Sequence, residues 1–152
     1  MAPPSIVYTP GGNGDITLAV KRGVADFVCR GPAVRHRNLA TSGAVETVLE
    51  RIEFLIGFTV PKLMVGANPS NDDVLEDWAT WFHWALAGGS FKFYPVAGGQ
   101  IYYNCTLETE EWAPARVGPG GYSHAFELRI IPDAQAPADA GEVYEAFYGV
   151  SE

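Results

Sequence analysis

Read for the spacing of its apolar positions, the chain divides into many short segments with a two-residue repeat and one segment with a helical repeat. The helical segment covers about residues 71–87. Successive steps of about 100° put Val74, Leu75, Trp78, Phe82, Ala85 and Leu86 on one broad face, with Glu76, Thr80, His83 and Ala87 opposite. Ser70 or Asn71 is the expected N-cap, Asp72 and Asp73 complement the positive end of the helix dipole, and Gly88 or Gly89 supplies a left-handed stop. Trp81 and Trp84 fall at the edge of the apolar face, on the side of Asp73 and Asp77. They read either as the rim of the core or as an apolar contact kept for another subunit, because aromatics are enriched at interface hot spots.

The rest of the pattern is β. Residues 5–9, 15–20 and 24–30 are strand candidates, the first two separated by the turn-forming run 10–14 and the third closed by Gly31 and Pro32. The Gly-Gly-x-Gly of that run is a turn and not a phosphate loop, since no GK[ST] follows it and it leads into a strand. Residues 33–38 leave one side of an extended segment basic, through Arg35 and Arg37; the expectation is an exposed loop or an ionic contact with an acidic neighbouring subunit. Residues 44–60 predict one long strand, with a helix through 45–56 as the competing reading, and Pro61 ends the strand or places it at a sheet edge.

Residues 62–65 are a further short strand before the loop 66–69, and 91–94 with 101–107 form a hairpin around the turn 95–100. Glu108, Glu110 and Glu111 suit a guarded sheet edge, and 112–117 continues as strand to the turn at 118–121. Residues 122–131 alternate, with Tyr122, His124, Phe126, Leu128 and Ile130 on one side; His124 reads there as a hydrogen-bonded, half-buried residue and not as a catalyst. The fold class is therefore mainly β (α+β) with one helix, in a single β-rich domain over 1–131. A Pro/Ala-rich linker and C-terminal arm follow over 132–152. The arm carries Tyr144, Phe147 and Tyr148 and must cover its own domain or dock on a neighbour; docking between subunits is the expectation.

Composition narrows the function classes. A chain of 152 residues is long enough to bury one core without disulfides or metal. The net charge of -8 excludes a general nucleic-acid-binding surface, which needs Lys and Arg to neutralise phosphates. Half of the ten basic residues, Lys21, Arg22, Arg30, Arg35 and Arg37, lie in the first quarter, whereas Glu108 onward holds nine acids against Arg116 and Arg129. That polarity suits head-to-tail contacts between copies, a solvated surface being the alternative. Cys29 and Cys105 lack zinc or redox spacing and read as free thiols in a reducing compartment. No apolar run approaches the roughly 18 residues that cross a membrane, and the N-terminus lacks a charged region followed by an apolar signal core. A soluble protein made in a cytoplasm, without membrane insertion, is expected.

No HExxH, GxSxG, P-loop or complete EF-hand loop is present, and His36 has no second ligand at metal spacing. The oxygen-rich run Asn71-Asp72-Asp73 with Glu76 and Asp77 suits a helix cap better than calcium. No catalytic residue, cofactor or metal is assigned, and the chain is not expected to be an enzyme. A ligand-binding β-domain, for example one that stacks carbohydrate on Trp84 and Trp112, is the alternative function.

Four stretches carry a family likeness: the helix through 77–89, the hairpin start Phe91-Lys92-Phe93-Tyr94-Pro95, its return Tyr102-Tyr103-Asn104-Cys105-Thr106-Leu107, and Tyr122-Ser123-His124-Ala125-Phe126-Glu127-Leu128-Arg129-Ile130-Ile131. In order and style this resembles the small virion proteins of tailed bacteriophages, especially the tail-tube and distal-tail (baseplate) group. The resemblance implies a β-sandwich or split β-barrel flanked by one helix, assembled as a six-fold (hexameric) ring around a channel through which DNA passes as cargo. It implies as partners other copies and other phage tail proteins, and as location the virion tail, assembled in the host cytoplasm. Arg35, Arg37, Trp81, Trp84, Tyr144, Phe147 and Tyr148 are the expected subunit-interface residues. The chain is shorter than typical distal-tail proteins and shows no second carbohydrate-binding domain.

Overall fold

The computed structural model describes residues 3–11, 14–21, 23–31, 33–39, 43, 45–66, 68, 72–133, 136–137 and 140–148, with the backbone alone described over 33–39, 45–52, 140 and 146–148. Along the chain lie β1 (Ser5–Tyr8), β2 (Ile16–Ala19), β3 (Ala25–Arg30), β4 (Ala33–Leu39), β5 (Val45–Ile52), β6 (Leu55–Met64) and β7 (Asp73–Val74). After these come α1 (Leu75–Leu86), β8 (Phe91–Tyr94), β9 (Tyr103–Leu107), β10 (Ala115–Gly118), β11 (Gly121–Ile130) and α2 (Ala140–Tyr148). The fold is mainly β, as the alternation predicts.

Two ten-residue strands, β6 and β11, form an antiparallel spine. The free edge of β11 is taken by β9 at one end and β10 at the other, and that of β6 by β3 and then by β7, the one parallel partner. Beyond β9 the sheet continues through β8, β1 and β2. In β11 the alternation holds from His124 onward: His124, Phe126, Leu128 and Ile130 are buried, while Ala125, Glu127 and Arg129 face outward, and Tyr122, before the register slip, is half-buried. In β6 it breaks once. Ile56, Phe58 and Val60 point inward, then the register slips between the Val60–His124 and Leu63–Tyr122 pairs, and Leu63 becomes the next buried residue. Pro61 sits in that slip, exposed, where its missing N–H costs no ladder bond. The expectation that Pro61 ends the strand is therefore corrected, and residues 62–64 belong to the same strand.

The sheet is curled. Phe58 on β6 and Phe93 on β8 are three strand positions apart, about 14 Å in a flat sheet, yet their rings stack with centroids 6.0 Å apart. Helix α1 lays Trp78, Trp81, Phe82 and Ala85 onto this concave face. Trp81 meets Phe91 at 5.2 Å and Phe126 at 5.5 Å, both edge-on, the arrangement that aromatic quadrupoles favour. The buried stripe is thus rotated from the expected one. Trp81 takes the central place and Leu86 is 44% exposed.

The start of α1 is also corrected. Asp73 and Val74 pair with Leu63 and Met64 as strand, and the Asp73 carboxylate, buried, accepts the Lys21 backbone N–H at 3.0 Å. The helix begins at Leu75 with no side-chain cap bond. Glu76 and Asp77 supply the negative charge in its first turn instead. Ser70 and Asn71 lie outside the described residues.

The far end follows expectation. Gly88 has φ +101°, and its N–H donates to the Ala85 carbonyl at 3.0 Å. Gly89 lies under the Trp84 ring, where an added Cβ would come within 2.7 Å of ring carbons. Gly89→Ala is expected to force Trp84 off Tyr8, its ring neighbour at 5.0 Å, and to cost about 1–3 kcal/mol in urea unfolding. In a Trp84→Ala background the same substitution should cost far less.

A second helix, α2, stands where a C-terminal arm was expected. It packs on β3, with Val143 fully buried and Tyr144 6.1 Å from Phe27 between ring centroids. Of the two alternatives, covering its own domain or docking on a neighbour, the described part of the arm takes the first, through Val143 and Tyr144 beside β3. Among the described residues the flanking helices number two and not one.

Candidate assembly interface

Strands β4 and β5 stand apart from everything else. They pair with each other from Ala33↔Ile52 to Leu39↔Val45, and among the described residues neither joins the main sheet or packs substantially on another element. At eight residues β5 spans about 27 Å. The sequence predicts an exposed loop or an ionic contact over 33–38 and a single strand over 44–60; in the structure the first is a strand, and the second breaks at Glu53 and Phe54 into β5 and β6. A signal for the hairpin was present in the alternation of 33–39 and in Gly43 between the two runs.

The register assigns each residue to a face. Arg35 opposes Leu49 and Arg37 opposes Thr47, so one face holds Arg35, Arg37, Leu39, Val45, Thr47 and Leu49. A slip between Val34 and Arg35 moves Arg51 to the other face, opposite Val34 and in line with His36, Asn38, Glu46 and Val48. The paired residues of the first face are basic, apolar or neutral, with Glu50 left unpaired at the slip, in a chain whose net charge is -8.

The other expected interface residues are dispersed. Trp81 is 0% exposed and cannot offer its ring to a partner while the chain is folded. Its place in the sequence put it at the edge of the helix face, but Phe91 and Phe126 extend the core beneath it. Trp84 is half-buried between Tyr8 and Gly89. Tyr144 is 49% exposed on α2. Phe147 and Tyr148 lie on the same helix, and their side chains, like those of Arg35 and Arg37, are outside the described residues.

At the root of the hairpin Arg129 of β11 binds Glu53 and Glu108. These bonds, that to Glu53 first, hold its guanidinium above its ordinary pKa. Arg30 pairs with Glu127 at 2.9 Å on the same outer face. A cavity of about 240 Å³ lies beside them, lined by Phe54, Ile130, Pro132 and Pro137 among others.

His124 is buried and stacked between Trp112 and Phe126, with centroids 4.7 and 4.6 Å away. Its Nε2 accepts the Ala113 N–H at 2.9 Å, and its Nδ1 lies 2.6 Å from the Ala125 carbonyl. Burial lowers its pKa below 6.5, against the pull of the Ala125 and Glu111 carbonyls. In the unfolded chain it titrates near about 6.5, so below that pH the unfolded state binds more protons. The stability due to neutral His124 is full above the unfolded pKa and falls as pH drops through it. The free-energy gap between the parent and His124→Phe, from urea melts, is expected to shrink between pH 7.5 and 5.5. A gap that stays constant would contradict this.

Cys29 and Cys105 are free thiols. Burial pushes Cys29 up to about 11 and Cys105 higher still, which suits packing and not nucleophilic chemistry. Among the described residues no group of three or more His, Cys, Asp or Glu is placed to hold a metal. No helix among them is long and apolar enough to cross a membrane. The aromatic rings expected to stack carbohydrate are engaged within the chain, Trp112 on His124 and Trp84 on Tyr8.

No protein-family model matches the chain, and no curated protein does. Ten chains of solved structures match. One of them comes from a structure described as the tail of an empty GTA particle with C6 symmetry. It is 15% identical with a TM-score of 0.44, over 84% of this chain and 90% of that one.

Proposed function

We propose that this chain is a non-enzymatic structural subunit of a phage-like tail or baseplate. In this reading it closes into an oligomeric ring, six-fold as the family resemblance implies, around a channel for DNA. The observation that carries the assembly is the β4–β5 hairpin. A two-stranded hairpin alone is marginal in water and leaves both outer edges unpaired. Among the described residues neither of its strands joins the main sheet, and the paired residues of its Arg35–Arg37 face are basic and apolar in an acidic chain. A second copy is the partner of matching charge. Through such contacts the subunits join each other and the next tail proteins in the virion, and an acidic lumen lets DNA pass without adhering.

The test is oligomeric state with and without the hairpin. Ala33 and Ile52 are paired, so residues 34–51 can be replaced by a two-residue Asn-Gly turn without stretching the chain. Light scattering after size exclusion, with negative-stain images, should show rings or tubes for the full chain and a folded monomer for the shortened one. A full chain that stays monomeric at high concentration would falsify the reading.

A further inference from the structure

Away from the hairpin, the outward residues of β1, β8 and β9 line up across the sheet: Val7 opposes Lys92, and Lys92 opposes Asn104. With Thr9, Asp15 and Ser90 they line a recess of about 170 Å³. Three of its polar groups are held in place, Asp15 from within the recess and Asn104 and Lys92 from outside it. Thr9 donates its hydroxyl hydrogen to Asp15 Oδ1, Asn104 Nδ2 donates to Asp133 Oδ2 at 2.8 Å, and Lys92 Nζ lies 5.0 Å over the ring of Tyr102. Tyr102 in turn packs against Tyr94 at 5.4 Å. A cation over an aromatic face loses rotamer freedom before any ligand arrives, and so does a carboxylate tied to a neighbouring hydroxyl. Each group keeps capacity for a ligand: the second oxygen of Asp15, the amide oxygen of Asn104 and the N–H groups of Lys92.

The chemistry of the set selects its ligand. A phosphate would meet the Asp15 carboxylate with only one cation to offset it, and an ammonium would meet Lys92. Adjacent hydroxyl groups, each of which donates and accepts, match a carboxylate, an amide and an ammonium side by side, and Val7 offers an apolar contact to C–H groups. The recess is smaller than the roughly 300–1,000 Å³ of sites for drug-sized ligands, so it takes one ring and leaves the rest of a longer ligand outside. The geometry points to a binding site for a single neutral, polyhydroxylated sugar ring at the β1–β8–β9 surface, independent of subunit assembly. The ring is either a free hexose or the end residue of a glycan.

The experiment is a titration of the full chain followed by amide NMR shifts. The probes are glucose, galactose, mannose and N-acetylglucosamine, each free and as the terminal unit of a trisaccharide. At least one probe is expected to saturate in the millimolar range, with shifts at Val7, Lys92 and Asn104. Equal affinity for the free and terminal forms identifies a monosaccharide site, whereas a tighter trisaccharide identifies a glycan-end site; either supports the proposal. Asp15→Asn and Lys92→Met, both at exposed positions, should weaken binding about tenfold or more, since the first replaces a carboxylate acceptor by a neutral amide and the second removes a charged donor. Val117→Ser, on exposed β10, should leave affinity unchanged. The inference is overturned by the absence of saturable shifts for every probe, or by binding that neither Asp15→Asn nor Lys92→Met weakens.

Discussion

Trp81→Ala is expected to lower the unfolding free energy by about 3–5 kcal/mol, the range for deleting a large aromatic from a packed interior. The indole is fully buried and touches rings from its own helix and from two strands: Trp78 and Phe82 beside it, Phe91 on β8 and Phe126 on β11 below. Loss of the ring leaves a hole that rigid strands cannot close. A domain has about 5–15 kcal/mol in total, so this one change removes a large share. In a chain of this length the melting temperature should fall on the order of 10 °C. Leu86→Ala on the same helix, at a position 44% exposed, should stay within about 0.5 kcal/mol of the parent. The Trp81 N–H has no acceptor among the described residues, so the hold of the ring is in its apolar area. Trp81→Phe should therefore keep much of what Trp81→Ala loses. Were Trp81 an assembly residue, Trp81→Ala would instead change oligomeric state and leave the melting of the monomer unmoved.

The position of Trp81 also shows where sequence periodicity reaches its limit. A helical wheel places residues relative to one another, but the arc that is buried depends on what lies beneath. Here Phe91 and Phe126 extend the aromatic floor toward Trp81 and leave Leu86 outside. Strands with one wet face were legible for the opposite reason. From His124 to Ile130 in β11 every second residue is buried, so there the pattern and the structure carry the same information. The same holds for the β8–β9 hairpin, where Phe91 opposes Cys105 and Phe93 opposes Tyr103, all buried.

Three features were set by partners distant in sequence. Pro61 is tolerated in mid-strand because β11 slips register opposite it. Asp73 is taken from the helix end by the backbone of Lys21, 52 residues away. Residues 44–60 divide at Glu53, which Arg129 of β11 binds at the root of the hairpin. Of the expected interface, the arginine pair was visible as an alternation in residues 33–38, but the strand that opposes it was not. Facing residues in a hairpin are fixed by register, and the slip beside Val34 has no marker in composition.

That register makes the assembly prediction specific to one face. Arg35→Glu with Arg37→Glu is expected to abolish ring formation at concentrations where the parent assembles, because like charges brought together across an interface cost several kcal/mol. Folding should be little affected, since among the described residues neither hairpin strand pairs into the main sheet. Arg51→Glu reverses a charge of the same hairpin on its other face and should leave assembly largely intact. The comparison separates a docking face from a general loss of positive charge. Added salt offers a second check. Between about 0.05 and 0.5 M the screening length shortens from more than 10 Å to a few ångström, so the parent should assemble more slowly, while the apolar share of the contact, from Leu39, Val45 and Leu49, persists. If light scattering finds the double variant assembled as the parent is, the basic face is not what joins the copies. If Arg51→Glu alone dissolves the rings, the docking face is the one that carries His36, Asn38 and Glu46.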